Sequence, residues 1–293
     1  MFIEKRKIFY TLSGLLSLLS IISILAFGLN LGIDFKGGSI LEVEYEEVPA
    51  LETVREALKD LEEVSLQRRG ENILVLKTKE ISEETHQSIL EKLNQLGDIK
   101  EGSESFESIG PAIGQELKSR TKIVVSLALL CILLYIAFSF RKISRPVKSY
   151  IYGLTSLIAL FHDVLIPLGV FAVLGRYYGV EITIPIITAF LTVFGYSIND
   201  SVVVFDRVRE NLRKLKTTDF KETIDQSLKQ SITRSLNTSL TTLIALFSIF
   251  LFGGATLRFF SLALILGIAL GTYSSLFLAT PLLATYYNFR KRK

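Results

Sequence analysis

The sequence predicts an α-helical polytopic membrane protein with six transmembrane helices and one α+β domain between the first and second helices. Two observations predict this class. Apolar runs long enough to cross a bilayer occupy much of the chain, and the mean hydropathy is +0.42. Residues 31–121 differ from the rest, because they carry 20 acidic and 11 basic side chains, a net charge of −9.

The membrane part contains six apolar runs. Most of them reach or approach the roughly 20 residues that a helix needs to cross about 30 Å of hydrocarbon. The first run follows a basic flank, but no clear small-x-small cleavage site follows it, so we predict a retained signal-anchor helix. The runs are Ile8–Leu29, Ile123–Phe140, Ser149–Leu174, Ile182–Phe205, Leu236–Phe252 and Phe259–Tyr286.

Basic residues predict the orientation of these runs in the membrane. Outside residues 31–121 the chain carries 22 basic and 9 acidic side chains. The positive-inside rule places the basic clusters in the cytoplasm. This bias explains the overall charge of +4 without a nucleic-acid partner. The clusters are residues 4–7, 141–148, 207–234 and 290–293.

Charge and hydropathy together predict three regions. Residues 1–30 form a cytoplasmic N-terminus and the first transmembrane helix. Residues 31–121 form an extracytoplasmic domain, and residues 122–293 form a five-helix transmembrane region with a cytoplasmic C-terminus. Six crossings leave both termini on the same side, which agrees with the basic residues found at each end.

The soluble stretch alternates strand and helix patterns. Ser39–Glu46 has the two-residue period of a strand, and apolar residues recur at helical spacing after Pro49. Two further strands flank a turn at Gly70, and Ser82 is a predicted N-cap for a second helix. An extended stretch, Gly102–Ile109, ends the domain. This order predicts the split βαβ, ferredoxin-like arrangement, which hosts many functions and does not define one.

A glycine-rich segment, Gly32–Gly38, links the first apolar run to the first strand. Gly37 and Gly38 allow positive φ and close backbone approach, so we predict a sharp turn there. We expect Asp34 to stabilise this turn rather than to bind a ligand. A phosphate-binding loop is disfavoured, because the segment precedes a strand and lacks a Lys-Ser/Thr pair.

Ionisable residues inside the apolar runs are the candidate functional residues. Asp200 ends an uncharged stretch of the fourth run, Asp163 lies beside His162 in the third, and Arg234 stands at the start of the fifth. Such groups are costly in hydrocarbon and usually mark ion or proton handling. The alternatives are a static ion pair between Asp200 and Arg234 that fixes helix packing, and an Asp163 that bonds to a neighbouring span.

Three other features carry open alternatives. Gly267 and Gly271 have the Gly-x-x-x-Gly spacing of a tight helix contact, either within the bundle or with a partner. The basic stretch Arg207–Arg234 is either an amphipathic helix at the inner membrane face or a solvated connector. Asp206 and Arg207 are expected at a solvated boundary rather than in a proton relay.

The motifs and their order make the chain resemble the SecF family of the SecD/SecF protein-export proteins, which are part of the resistance–nodulation–division (RND) superfamily. The resemblance covers nearly the whole chain. It rests on the Gly-x-Asp-Phe-x-Gly-Gly box at Gly32–Gly38 and on four further stretches: Phe161–Val164, Gly195–Arg207, Ser231–Ser239 and Leu257–Ser275.

The resemblance implies a function. Similar proteins pair with SecD beside the SecY/SecE/SecG channel and use the proton motive force to promote preprotein translocation across the bacterial cytoplasmic membrane. It implies a proton, or in some organisms sodium, as the coupling ion and no other cofactor. It assigns the proton path to Asp200 and Arg234. Asp163 is a further candidate for proton or ion coupling because it is an ionisable residue deep in an apolar run. YajC, YidC, an unfolded preprotein and membrane lipid are the other partners that we expect.

Two other function classes are weaker. Half of an RND-type small-molecule efflux transporter would need two large extracytoplasmic domains, and this chain has one small domain. An intramembrane protease is disfavoured, because His-Glu-x-x-His, Gly-x-Ser-x-Gly and Gly-x-Gly-Asp are absent from the sequence. We therefore predict that the protein is not an enzyme and binds no metal. The single cysteine, Cys131, excludes a disulfide within the chain.

Overall fold

The structure is a computed structural model that describes residues 2–61, 63–140, 147–214 and 219–291. It divides into two compact units. One contains Met1–Asn30 and Val124–Lys293, and the other contains Leu31–Ile123. Of the predicted basic clusters, residues 141–146 and 292–293 lie outside the described residues, as does Leu215 in the stretch Arg207–Arg234.

Six described helices of the chain are long and apolar enough to cross a bilayer. The last crossing joins two α-helices through a π-helical turn, Ser275–Ala279, and extends over Leu257–Arg290. Seven α-helices make up these six crossings, with α9 and α10 together in the last one. They are α1 (Arg6–Phe27), α5 (Pro111–Ser139), α6 (Ser149–Tyr178), α7 (Ile184–Lys214), α8 (Phe220–Phe252), α9 (Ala255–Ser274) and α10 (Thr280–Lys291).

The stretch Arg207–Arg234 forms neither a separate surface helix nor a solvated connector. Helix α7 continues to Lys214 and helix α8 already begins at Phe220, so most of the stretch extends the two spans. Hydrophobic positions explain the difference: Phe220, Ile224 and Leu228 are almost fully buried in the core of this unit. Their helical spacing serves packing within the bundle.

Small residues bring the helices of the membrane unit close together. A Cβ atom on Gly267 of α9 would lie 2.2 Å from Val193 of α7, and one on Gly271 would lie 3.1 Å from Ser197. The Gly-x-x-x-Gly contact therefore lies within the bundle. Helices α1 and α5 expose large apolar side chains instead, as a lipid-facing surface does.

The soluble unit contains a four-stranded antiparallel sheet in the order β2-β3-β1-β4. Its elements follow one another as strand, helix, strand, strand, helix, strand, which is the order that the sequence predicts. Ser82 accepts a hydrogen bond from the Thr85 backbone N–H and caps the second helix as predicted. The elements are β1 (Gly38–Glu44), α3 (Leu51–Ala57), β2 (Ser65–Arg69), β3 (Ile73–Thr78), α4 (Glu83–Asn94) and β4 (Ser105–Ile109).

Gly37 and Gly38 connect a short helix, α2 (Ile33–Lys36), to β1. Their φ angles are +78° and +127°, in the region that favours glycine. A Cβ atom on Gly37 would lie 2.8 Å from the Pro111 backbone, and one on Gly38 would lie 2.8 Å from the Thr78 carbonyl oxygen. Asp34 lies in the only turn of α2.

Candidate functional site

Asp163 of α6 is fully buried, with 0 % of its surface exposed. Two serine hydroxyls donate to its Oδ2 at 2.6 Å, one from Ser197 of α7 and one from Ser274 of α9. The imidazole Nδ1 of His162 lies 2.9 Å from its Oδ1. Three helices therefore converge on one carboxylate, and each contributes a polar group.

Asp200 of α7 is 8 % exposed and also accepts two serine hydrogen bonds. Ser235 of α8 donates to Oδ1 at 2.5 Å, and Ser275 donates to Oδ2 at 2.8 Å. The carboxylate thus joins α7 to α8 and to the last span. A buried carboxylate needs such donors, because unsatisfied polar groups are costly away from water.

Ser274 and Ser275 link the two carboxylates through adjacent residues of the chain. Ser274 ends α9 and bonds Asp163, whereas Ser275 begins the π-helical turn and bonds Asp200. Thr280 donates to the Ser275 carbonyl oxygen at 2.7 Å, a bond that spans five residues. Such π-helical turns often occur at functional sites. Ser274 and Ser275 themselves have ordinary αR backbone angles, and these neighbouring serines bond different aspartates.

Arg234 lies nearby on α8, but its side chain is exposed and does not form an ion pair with Asp200. Among the described residues, one basic side chain lies within 4.0 Å of either buried carboxylate: His162, which is beside Asp163 and carries a charge only when protonated. The alternative of a closed Asp200–Arg234 ion pair is therefore not the arrangement in this structure.

A cavity of about 300 Å³ lies between α7 and α8 beside Arg234. On α7 its polar lining begins at Asp206, six residues beyond Asp200, and extends to Glu210. Arg207 donates to Glu210 at 2.6 Å, and Arg209 pairs with Asp206, so these charges are neutralised locally. The cavity is lined by Val202, Val203, Asp206, Arg207, Glu210, Gln230, Ser231 and Arg234.

The sequence pointed to the acids but not to their donors. Ser197, Ser235, Ser274 and Ser275 were not singled out, because serine is common in membrane helices and its partner depends on how the helices pack. Helical spacing could have indicated Ser197, which lies three residues before Asp200. A local pattern would not predict the Ser274–Ser275 bridge, since it depends on how α6 and α7 pack against the last span.

The cluster does not resemble a metal centre: the described residues contain no group of three or more His, Cys, Asp or Glu side chains able to hold a metal ion. Hydroxyl groups hold both carboxylates. The fold and this cluster define a class, the polytopic helical membrane proteins that bury carboxylates where several spans meet.

Family models identify the particular family. The model for the C-terminal region of the protein export membrane proteins SecD and SecF matches residues 88–289, and the model for the SecD/SecF GG motif matches residues 22–47. The chain belongs to the SecD/SecF family. The GG motif includes Asp34, Gly37 and Gly38, and the larger match includes both buried aspartates.

Named relatives place the chain with SecF. It is 40 % identical to protein translocase subunit SecF of Thermobaculum terrenum, over 97 % of this chain and 92 % of that protein. It is 36 % identical to the SecF subunit of Anaerolinea thermophila, over 96 % of this chain and 92 % of that protein.

A crystal structure supports the same relationship. SecDF of Thermus thermophilus, described as a translocon-associated membrane protein, matches with a TM-score of 0.83 and 34 % identity. The match covers 98 % of this chain and 38 % of the SecDF chain, so this protein spans well under half the length of that relative.

Proposed function

We propose that this protein is an accessory subunit of the Sec translocase that pairs with SecD and uses the proton motive force to promote preprotein translocation. Every relative named above is a SecF translocase subunit or a SecDF protein. This favours protein export over the efflux alternative. The observation that carries the energy-coupling part is the pair of buried carboxylates joined through Ser274 and Ser275.

Asp200 is the proposed proton-binding residue. As a carboxylate it accepts hydrogen bonds from Ser235 and Ser275 on two different helical segments. Protonation would turn one of its oxygens into a donor, so one serine hydroxyl would have to rotate or lose its bond. Uptake of a proton would therefore change how α7 is held against its neighbours, which is a local step of the kind that transport needs.

Arg234 is the proposed partner of Asp200 in one state of the cycle. Its guanidinium group remains charged at all physiological pH values, so its position decides how strongly it stabilises the carboxylate. An exposed arginine beside a polar cavity has room to move toward or away from Asp200. The coupling ion is proposed to be the proton, with sodium as the alternative.

The outer face of α8 supports pairing with SecD. Exposed polar side chains occur along this transmembrane helix between Arg234 and Ser248. A polar stripe is poorly suited to hydrocarbon but suits contact with another membrane helix. The stripe consists of Arg234, Asn237, Thr238, Thr241 and Ser248. Large apolar side chains are exposed on α1, α5 and α8 alike, so on α8 the polar stripe lies among apolar side chains.

The remaining partners are inferred from the family. We propose that the pair acts beside the SecY/SecE/SecG channel on unfolded preproteins, with YajC and YidC as associated subunits. No enzymatic step is included in this role.

We propose a location in the bacterial cytoplasmic membrane, with both termini in the cytoplasm and residues 31–121 as an extracytoplasmic, ferredoxin-like domain. The strand order β2-β3-β1-β4 with two intervening helices supports this assignment. The orientation rests on charge, because residues 31–121 carry a net charge of −9 and the rest of the chain carries the basic excess. The proposed regions remain 1–30, 31–121 and 122–293.

Translocation into inverted membrane vesicles that contain this chain and SecD tests the proposal. Translocation is measured with and without a proton gradient for the wild type and for Asp200→Asn, which keeps the size of the side chain but cannot carry the charge. We expect the substitution to abolish the gradient-stimulated part while the complex remains assembled.

Asp206→Asn is the matched control, because Asp206 lies on the same helix but pairs with Arg209 at an exposed position. It should retain full stimulation. Undiminished stimulation in Asp200→Asn would contradict the role of Asp200. A loss of stimulation in both variants would point to a general defect of α7.

A further inference from the structure

His162 is a buried histidine at the core of the membrane unit, and only 4 % of it is exposed. It precedes Asp163 on α6, and its Nδ1 lies 2.9 Å from Asp163 Oδ1. Its second ring nitrogen, Nε2, is also buried, and it has no hydrogen-bond partner among the described residues. The imidazole is thus held on one side and available on the other.

The hydrogen bonds of Asp163 define which nitrogen carries the proton. Both serines donate to Oδ2, and Oδ1 faces the ring. A carboxylate oxygen accepts, so the geometry assigns a proton to His162 Nδ1. The other nitrogen, Nε2, is then a bare lone pair in the neutral ring and an N–H group in the imidazolium. A carboxylate that holds Nδ1–H also stabilises the imidazolium when it forms.

The tyrosine beside the imidazole ring already has hydrogen-bond partners for its hydroxyl group. Helices α1, α7 and α9 pack against α6. Tyr273 of α9 lies with its ring 6.0 Å from the imidazole, and its hydroxyl is already bonded to the Phe9 carbonyl and to Ser13 of α1.

Two further titratable groups of the packed helices are hydrogen-bonded elsewhere. Asp200 of α7 is connected to this site through Ser275 and Ser274, and Tyr10 of α1 bonds Thr285. The π-helical turn carries no titratable side chain. Among these groups, His162 combines burial with an unused nitrogen.

We propose that His162 is a second proton-binding group of the membrane core, which takes up and releases a proton at Nε2 while Asp163 acts as the positioning residue at Nδ1. The proposal rests on the proposed proton-coupled function and extends it. In each event one N–H bond forms or breaks at Nε2, and the proton comes from or returns to the aqueous phase that supplies the gradient. Asp163 keeps its bonds to Ser197 and Ser274 throughout.

Nitrogen NMR of the full chain in lipid vesicles tests the proposal directly. The sequence contains two histidines, His86 and His162, so labelling histidine with nitrogen-15 gives two pairs of ring signals. His86→Gln leaves the pair from His162. We expect Nδ1 to remain protonated while Nε2 changes from a bare to a protonated nitrogen as the pH falls. An Nε2 signal that does not change with pH, or a bare Nδ1, would overturn the proposal.

A positioning role for Asp163 predicts a second change in the spectrum. Asp163→Asn removes the anion that selects the Nδ1–H tautomer, so the His162 signals should change to a mixture of tautomers. Asp206→Asn, at an exposed site on α7, should leave them unchanged. If Asp163→Asn also leaves the His162 signals unchanged, then Asp163 does not position the ring.

Translocation separates this inference from the proposed function. His162→Gln introduces an amide that can donate a hydrogen bond to Asp163 but does not take up or release a proton at physiological pH. We expect this variant to lose most of the gradient-stimulated translocation. Full stimulation in His162→Gln with none in Asp200→Asn would overturn the role of His162 and leave the proposed function intact. Full stimulation in both variants would overturn the proton-coupled function itself.

Discussion

The soluble and membrane units treat acidic side chains in opposite ways. In the soluble unit, Glu42 pairs with Arg69 at 2.6 Å while both side chains remain partly exposed, at 28 % and 40 %. In the membrane unit, Asp163 and Asp200 are buried and are held by serine hydroxyls. Exposed pairs contribute little to stability, whereas a buried carboxylate depends on every donor around it. The difference shows that burial, rather than charge alone, sets how much an acidic side chain depends on its neighbours.

The largest effect is expected from removing the more deeply buried carboxylate. Asp163→Ala would leave Ser197, Ser274 and His162 as buried donors without their acceptor. We expect a loss of about 3–5 kcal/mol, the range found when one partner of a buried charged group is removed. The thermal midpoint of the purified full chain in detergent measures it, with the exposed Asp206→Ala as the control. Equal thermal midpoints for Asp163→Ala and Asp206→Ala would contradict the expected difference between buried and exposed acids.

Packing around the carboxylates gives the next effect. Gly267→Ala adds a Cβ that would lie 2.2 Å from Val193, so we expect a loss of about 2 kcal/mol from overpacking between α9 and α7. Gly195→Ala on α7 is the matched control, because a Cβ there would meet nothing within 4 Å. Adding Val193→Ala to Gly267→Ala should restore part of the thermal midpoint. If Gly267→Ala and Gly195→Ala melt alike, the close contact between α9 and α7 is not present.

A buried phenol gives a smaller effect in the soluble unit. Tyr45 is fully buried and donates to the Leu93 carbonyl oxygen at 3.1 Å. Tyr45→Phe should cost about 1 kcal/mol by removing this hydrogen bond. Hydrogen exchange of β1 and β3 amides in the full chain measures the change. Unaltered exchange in the variant would mean that the bond does not stabilise the sheet.

The same tyrosine predicts how the soluble unit responds to alkaline pH. Burial raises the pKa of Tyr45 from 10.0 to about 12, because the folded state favours the neutral phenol. Its contribution is fully present below pH 10 and is lost as the pH rises through about 12. Tyr45→Phe should remove this part of the pH dependence of hydrogen exchange. If Tyr45→Phe keeps the wild-type pH dependence of hydrogen exchange, then other groups cause that dependence.

The smallest effect is expected at the exposed ion pair. Glu42→Gln removes one partner of Arg69 on the sheet surface. We expect a change of no more than about 1 kcal/mol, which decreases further at high salt because exposed charges are screened. Chemical denaturation at two salt concentrations measures it. A loss comparable to that of Asp163→Ala would contradict the distinction between the two units.

Hydropathy and strand periodicity predicted the number of spans, their order and the element order of the soluble unit, because each depends on local patterns. Both alternatives for the stretch Arg207–Arg234 were wrong, since Phe220, Ile224 and Leu228 within it pack in the core. Burial of a long helix end is a property of the neighbouring helices, which a local pattern does not contain.

The acids of the site were also visible from the sequence, because aspartate in an apolar run is rare. Their hydrogen-bond partners were not, since Ser235 and Ser275 lie 35 and 75 residues from Asp200. The expected proximity of Arg234 and Asp200 gave no hint that the arginine would be exposed rather than paired. Side-chain pairing across helices depends on how the helices rotate and pack against one another.

Labelling with dicyclohexylcarbodiimide tests most directly the central claim that Asp200 changes protonation. This reagent modifies carboxyl groups that are protonated in an apolar environment, and peptide mass spectrometry locates the modified residue. In vesicles containing the full complex, the account predicts that Asp200 is labelled increasingly as the pH falls, while the exposed Asp206 is not. Labelling of Asp200 that is absent, or that does not change from mildly alkaline to mildly acidic pH, would contradict it.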